Sequence, residues 1–277
     1  MSKNIHYNFS ILIVILLFGC AGSNKTEIGK QEINSSLKVE YLRSYIEEPG
    51  SIGDIIEYDF KMSHNNKVLV STYGIPDYRE RAQLKDPEFD SDFMHVIKNL
   101  SVDDSVMITV NVQNIPEEHL PQEVTEKNGV LVLIVSIRNI WNEEQVMDKM
   151  VNDLSQNQPE TWTKTSRGVR IFWDEKGDGS KAEFGDSVYI HVRQLFLSGI
   201  PFFDSRQTKT KKPIGFVLGE GVLMPMAWED ACSLASKGDK LTLISPYDMA
   251  YGTRDRKPVL KYSTLVFEID VIDVKKN

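Results

Sequence analysis

Cysteine is nearly absent from this 277-residue chain, which has only Cys20 and Cys232. Two cysteines are too few for a disulfide framework or a four-cysteine zinc site, and their separation excludes zinc-finger spacing. Positive charge is in deficit too, with 32 Lys and Arg against 40 Asp and Glu and a formal net charge of −8. Such a chain lacks the cationic surface that displaces counterions, so no nucleic-acid partner is expected. The histidines His6, His64, His95, His119 and His191 are scattered without metal-ligand spacing, and no metal is expected. What remains is 41% hydrophobic and 26% charged, the balance of a folded protein with one large domain or two small ones.

The apolar run Phe9–Phe18, preceded by Lys3, is too short to cross a bilayer of ~30 Å as a helix and reads as a signal peptide over residues 1–19. Its end, Leu17-Phe18-Gly19-Cys20-Ala21, resembles a bacterial lipobox. That resemblance implies cleavage before Cys20, lipidation of its thiol and a membrane anchor there, with the protein in the cell envelope. Ala21 gives no obvious inner-membrane retention signal, so the outer membrane, facing the periplasm, is expected. Residues 20–36 read as a polar tether. With Cys20 lipidated, Cys232 is left as a free thiol that should be buried.

Beyond the tether the chain repeats. Gly53-Asp54 opens a strand in which Ile56, Tyr58, Phe60 and Met62 alternate with charges, and Gly185-Asp186 opens another with Val188, Ile190 and Val192 on one face. These starts lie 132 residues apart. Asp104 before Ser105–Val110 corresponds to Gly238 before Asp239–Ile244 at an offset of 134, and Val130–Val135 corresponds to Thr264–Ile269 at the same offset. Three landmarks in one order argue for two copies of one fold. Each copy is expected to be α+β, an antiparallel sheet wrapped on a short helix. The first spans 37–141 and the second 163–277. Between them, Val146, Met147, Met150, Val151 and Leu154 recur at helical spacing, predicting a connector helix and linker over 142–162. In the second copy a helix is expected from Met226 to Ser236, with Trp228, Ala231, Cys232 and Ala235 as its apolar stripe and Glu229, Asp230 and Ser233 facing water.

The second copy resembles the FKBP-type peptidyl-prolyl isomerases over about Gly168 to Val274. The resemblance rests on Phe203-Asp204-Ser205, Phe216-Val217-Leu218-Gly219-Glu220-Gly221, Pro225-Met226-Ala227-Trp228-Glu229, Ile244-Ser245-Pro246, Ala250-Tyr251-Gly252 and Thr264-Leu265-Val266-Phe267-Glu268. It implies isomerisation of Xaa-Pro bonds without a cofactor. Trp228 would form the pocket floor, and Phe203, Ile214, Leu223, Val259 and Phe267 its walls. The Tyr251 hydroxyl would donate to a substrate carbonyl, the Met224 N–H would hold another, and Asp204 would stand at the pocket edge. Val192 occupies a lining position where the family commonly has tyrosine. The first copy maps Val70, Met94, Glu117 and Leu133 onto Phe203, Trp228, Tyr251 and Phe267, so it reads as a catalytically silent copy that binds clients or an envelope-protein partner. Two functions therefore stand. One is a lipid-anchored prolyl isomerase acting on proline-containing client proteins. The alternative is a non-catalytic binding module in an envelope assembly such as secretion or motility machinery.

Overall fold

The computed structural model describes residues 30–34, 37–44, 48–75, 79–85, 92–115, 117, 120–155, 162–221 and 225–277. The signal segment and the lipobox at Cys20 lie outside the described residues. The chain divides into two compact units that meet at Trp141 and Asn142.

The first unit contains β1 (Lys30–Asn34), β2 (Leu37–Arg43), β3 (Ile55–His64), β4 (Lys67–Ser71), β5 (Glu80–Gln83), α1 (Asp92–Ile97), β6 (Ser105–Asn111) and β7 (Val130–Trp141). Its sheet runs β1-β2-β6-β7-β3-β4, with β5 also on β3. The polar tether is therefore shorter than expected, because Lys30–Asn34 pairs with β2. An edge strand needs only backbone donors and acceptors on one side, so an apolar period was not required to form it.

The second unit contains α2 (Glu143–Ser155), β8 (Trp162–Lys164), β9 (Arg170–Glu175), β10 (Ser187–Phe196), β11 (Pro201–Asp204), β12 (Ile214–Val217), α3 (Met226–Cys232), β13 (Lys240–Ser245) and β14 (Leu265–Lys275). Its sheet runs β8-β9-β13-β14-β10-β11, with β12 also on β10. This is the strand order of the first unit, element for element, and all the pairings are antiparallel. The two copies are thus both α+β sheets with one short helix packed on the inner face.

The repeated Asp landmarks have one cause. Asp54, Asp104, Asp186 and Asp239 each accept a bond from the backbone N–H three residues earlier, at 2.8 Å in every case. All four are nearly buried, so each carboxylate closes the tight turn that launches a strand. The residue before each has positive φ: Gly53 +95°, Asp103 +69°, Gly185 +94° and Gly238 +92°. Hydrogen bonding therefore aligns Asp104 with Asp239, not with Gly238, one residue from the alignment read in the sequence.

Helix α2 is not a free connector. Met147 and Val151 are buried against Phe172 and Ile244, on the sheet face opposite α3, with Met150 and Leu154 at the margin. Arg170, fully buried, reaches from β9 to Asp148 at 2.8 Å and Glu144 at 2.7 Å. The helical spacing predicts this apolar stripe, and the sheet face it packs on is what the spacing alone does not specify. Helix α3 ends at Cys232, four residues short of the expected stop, and its stripe of Trp228, Ala231, Cys232 and Ala235 is buried as expected. Glu229 does not face water. Its carboxylate turns inward to accept the Gly219 N–H at 2.6 Å. Asp230 pairs with Arg167 at 2.7 Å, and the Ser233 hydroxyl donates to the Asp230 carbonyl. Among the described residues no helix is long and apolar enough to cross a membrane.

Candidate active site

The site is built on one row of the second sheet. Gln194 on β10 lies opposite Phe203 on β11 and Phe267 on β14, Phe267 lies opposite Leu243 on β13, and Leu243 lies opposite Ile171 on β9. Residues directly across a ladder share a face, so the two phenylalanines flank Gln194 on the side that carries α3. Trp228 packs its ring edge-on against Phe267, with centroids 5.9 Å apart and planes at 88°. This geometry matches the positive ring edge to the negative ring face and adds about 0.5–1.5 kcal/mol beyond the buried area. The Trp228 Nε1–H is buried without a hydrogen-bond partner. Burial of an unpaired donor costs about 1–3 kcal/mol, and packing gives nothing in return for it.

Val192, two residues before Gln194, is fully buried opposite Ile269. Ile214 on β12 lies opposite Ile190. The loop from Arg256 to Val259 folds on itself through two reciprocal backbone bonds of 2.8 Å, which holds Val259 in the core. Val192, Trp228, Val259 and Phe267 therefore share one apolar cluster, with Phe203, Ile214 and Tyr251 half-buried against it. Leu223 and Met224 lie outside the described residues.

Tyr251 follows a single turn of 3-10 helix, Tyr247–Met249, started by Ser245-Pro246. Gly252, at φ +72°, turns the chain back so that its N–H meets the Tyr247 carbonyl at 2.7 Å. Helix α2 braces this loop. The Glu143 carboxylate accepts the Tyr247 N–H at 2.8 Å and the Thr264 hydroxyl at 2.6 Å. Burial raises the Glu143 pKa above the usual carboxylate range, and these two bonds oppose the rise.

Two expected roles are met by different geometry. The Tyr251 hydroxyl donates to Gln194 Oε1 at 2.6 Å. Burial pushes this phenol above its ordinary pKa, so it stays protonated at neutral pH. The guanidinium of Arg256 sits 5.7 Å from the Tyr251 ring centroid. Asp204 turns its carboxylate to the chain that follows, with Oδ1 on the Arg206 N–H at 2.8 Å and Oδ2 on the Gln207 amide at 3.2 Å. It caps the turn that follows, from a position opposite Arg193 and not opposite the inward-facing Val192 and Gln194. The neighbouring Ser205 hydroxyl takes the Val192 N–H at 3.0 Å and contacts His191 Nδ1 at 2.9 Å.

Gln194 was missed. Its signal was available, since a carboxamide follows Val188, Ile190 and Val192 on the inward register of β10. An alternating apolar strand that ends in a buried amide calls for a partner, and the partner is Tyr251.

Residues 178–272 match the sequence model of the family described as FKBP-type peptidyl-prolyl cis-trans isomerase. The peptidyl-prolyl cis-trans isomerase Fkbp12 of Drosophila melanogaster is 31% identical over 110 residues, 39% of this chain and 99% of that protein. The FKBP-type peptidyl-prolyl cis-trans isomerase FkpA of Buchnera aphidicola from Acyrthosiphon pisum is 28% identical over 111 residues, 40% of this chain and 44% of that protein. The chain thus spans less than half the length of this bacterial relative. The crystal structure of FkpA from Escherichia coli covers 48% of this chain and 59% of its own, at 24% identity and a TM-score of 0.40.

Proposed function

The chain belongs to the FKBP-type peptidyl-prolyl cis-trans isomerases, and from that membership we propose that its second unit speeds isomerisation of Xaa-Pro bonds in proteins folding in the bacterial cell envelope. The observation that carries this reading is the row in which Phe203, Gln194 and Phe267 share the Trp228 face beneath the Tyr251 loop. Rotation about a prolyl bond breaks amide conjugation, against a barrier of ~18–20 kcal/mol. The twisted amide separates less charge than the planar one, so a dry aromatic surface favours it over the ground state. Trp228 serves as the floor, and Phe203, Ile214, Val259 and Phe267 serve as walls. No covalent step is needed.

The sequence at Cys20 supports a lipid anchor and a place in the envelope, with the outer membrane as the reading. Among its described residues the first unit lacks the aromatic row of the second. Its Val70, Met62, Leu133 and Ile108 occupy the row of Phe203, Gln194, Phe267 and Leu243. The apolar cavity there, lined by Leu37, Met62, Phe93, Ile108, Val110, Leu131 and Leu133, measures about 10 Å³. That is room for no more than one water and none for a prolyl ring. Contact with an envelope partner or a client is the role left to this unit.

A second reading has its own support. Tyr251 and Asp204 both spend their polar atoms on the protein, as suits a binding module without catalysis. The deciding experiment uses the chain starting after Cys20 and measures NMR exchange between cis and trans forms of Xaa-Pro peptides. Acceleration that falls about tenfold or more in Phe203→Ala supports the isomerase. A folded protein that accelerates no peptide supports the binding module.

A further inference from the structure

Along β10 the inward side chains are Val188, Ile190, Val192 and Gln194, and Gln194 is 3% exposed. The fold does not require an amide there. The equivalent position in the first unit is Met62, in the same place in the row and just as buried. Gln194 is therefore a polar group set into an apolar wall, at the desolvation cost such burial carries.

The hydrogens can be followed atom by atom. A phenol carries one proton, and that of Tyr251 is committed to Gln194 Oε1. It is not free to meet a substrate carbonyl unless this bond breaks. With Oε1 fixed toward the phenol, the Nε2 end of the carboxamide turns the other way with two hydrogens, and no acceptor for it is found among the described residues. The indole Nε1–H of Trp228, which packs on the neighbouring Phe267, is buried and unpaired. Gln194 on β10 lies opposite that same Phe267, so both N–H donors border one aromatic ring.

We propose that Gln194, through Nε2, is the side chain that donates to the carbonyl of a bound Xaa-Pro segment, and that Tyr251 is a positioning residue that holds the amide in that orientation. This rests on the isomerase reading of the second unit. It makes the recognised substrate feature a neutral carbonyl acceptor beside the proline ring.

The test uses the chain starting after Cys20 with Gln194→Met, Gln194→Glu, Tyr251→Phe and the Gln194→Met/Tyr251→Phe pair. Kinetics come from NMR exchange on an Xaa-Pro tetrapeptide, and binding from the Gln194 side-chain amide signals during titration with that peptide. Met is the residue that fills this position in the first unit, so the variant should fold. Both Gln194 variants should lose about three- to tenfold in kcat/KM, the worth of one neutral hydrogen bond, chiefly through KM. Gln194→Glu should lose it even though a carboxylate still accepts the phenol proton. Tyr251→Phe should cost nothing further once Gln194 is Met, and the wild-type amide signals should move when peptide binds. A Gln194→Met protein at least as active as wild type, in which Tyr251→Phe still carries its full cost, would assign the donor to the phenol and overturn the proposal. Peptide binding and turnover with unmoved Gln194 amide signals would overturn it alone. A folded wild type that neither binds nor isomerises any Xaa-Pro peptide would overturn the isomerase reading as well.

Discussion

The substitution Met147→Ala tests whether α2 belongs to the second unit. Met147 is fully buried and packs with Val151 on Phe172 and Ile244, while its Sδ accepts an N–H of Arg170 at 3.3 Å. Truncation to alanine at a fully buried site removes transfer free energy and leaves a cavity, together about 2–5 kcal/mol. A residue on an exposed connector would change stability by about 0.5 kcal/mol or less. Lys149, two residues on and exposed, supplies that comparison within the same helix. A single melting temperature for a chain of two units mixes their unfolding, so the readout should be local. Hydrogen exchange of the β9 and β13 amides reports opening of the sheet that α2 covers. At about 1.4 kcal/mol per tenfold, Met147→Ala should speed exchange there by roughly 30-fold to 4000-fold where those amides exchange by opening of the whole unit. Lys149→Ala should change it by less than about threefold. Equal exchange in the two variants would refute the placement of α2 and restore it as a linker.

Glu143→Gln should be as stable as wild type at pH 7 or more so. The folded-state pKa of Glu143 is raised by burial, so the stability linked to its proton is present below the ordinary value of 4.5 and is lost as pH rises through the raised one. Glutamine keeps the acceptor for Tyr247 and Thr264 without a charge, and the difference from wild type should close below pH 4.5 in denaturant titrations across pH. A Glu143→Gln protein clearly weaker at pH 7 would contradict this. The Cys232 thiol is pushed up to about 12 by burial beside Glu229, so it should resist iodoacetamide at pH 8 until denaturant opens the unit. Prompt labelling of the folded protein would show that the α3 stripe is not packed. Gly185→Ala should destabilise by about 1–2 kcal/mol in urea titrations, since φ is +94° there and the cost is backbone strain with no steric contact around the new methyl. An unchanged midpoint would mean that the turn closed by Asp186 tolerates another geometry.

Much of this architecture could be read from the chain because its causes are local. The Gly-Asp turns, the alternation in β3 and β10 and the stripe of α3 each depend on residues within a few positions of one another. The same locality sets the direction of Phe203, Ile214 and Phe267, each of which sits on a strand. The misreadings are long-range. Glu143 finds Tyr247 and Thr264 across more than a hundred residues, and Arg170 finds Asp148 from another element, so the sequence shows the apolar stripe of α2 but not the surface that anchors it. Glu229 carries the charge expected of a surface position, and only the approach of Gly219 explains its burial. Tyr251 and Gln194 lie 57 positions apart, and neither residue alone announces the bond between them.

The two units show how little a site adds to a scaffold. Both copies set the same turns and the same strand order, and both fill the face beneath their short helix with apolar volume. Stability needs only that the volume be filled, which Val70, Met62, Leu133 and Met94 do with flexible and branched aliphatic chains. Replacing them by Phe203, Gln194, Phe267 and Trp228 keeps the face packed but exchanges compliant side chains for flat, rigid rings and two N–H donors. On the proposed reading, what separates the two copies is the stiffness and polarity of four side chains, on a strand order that both share.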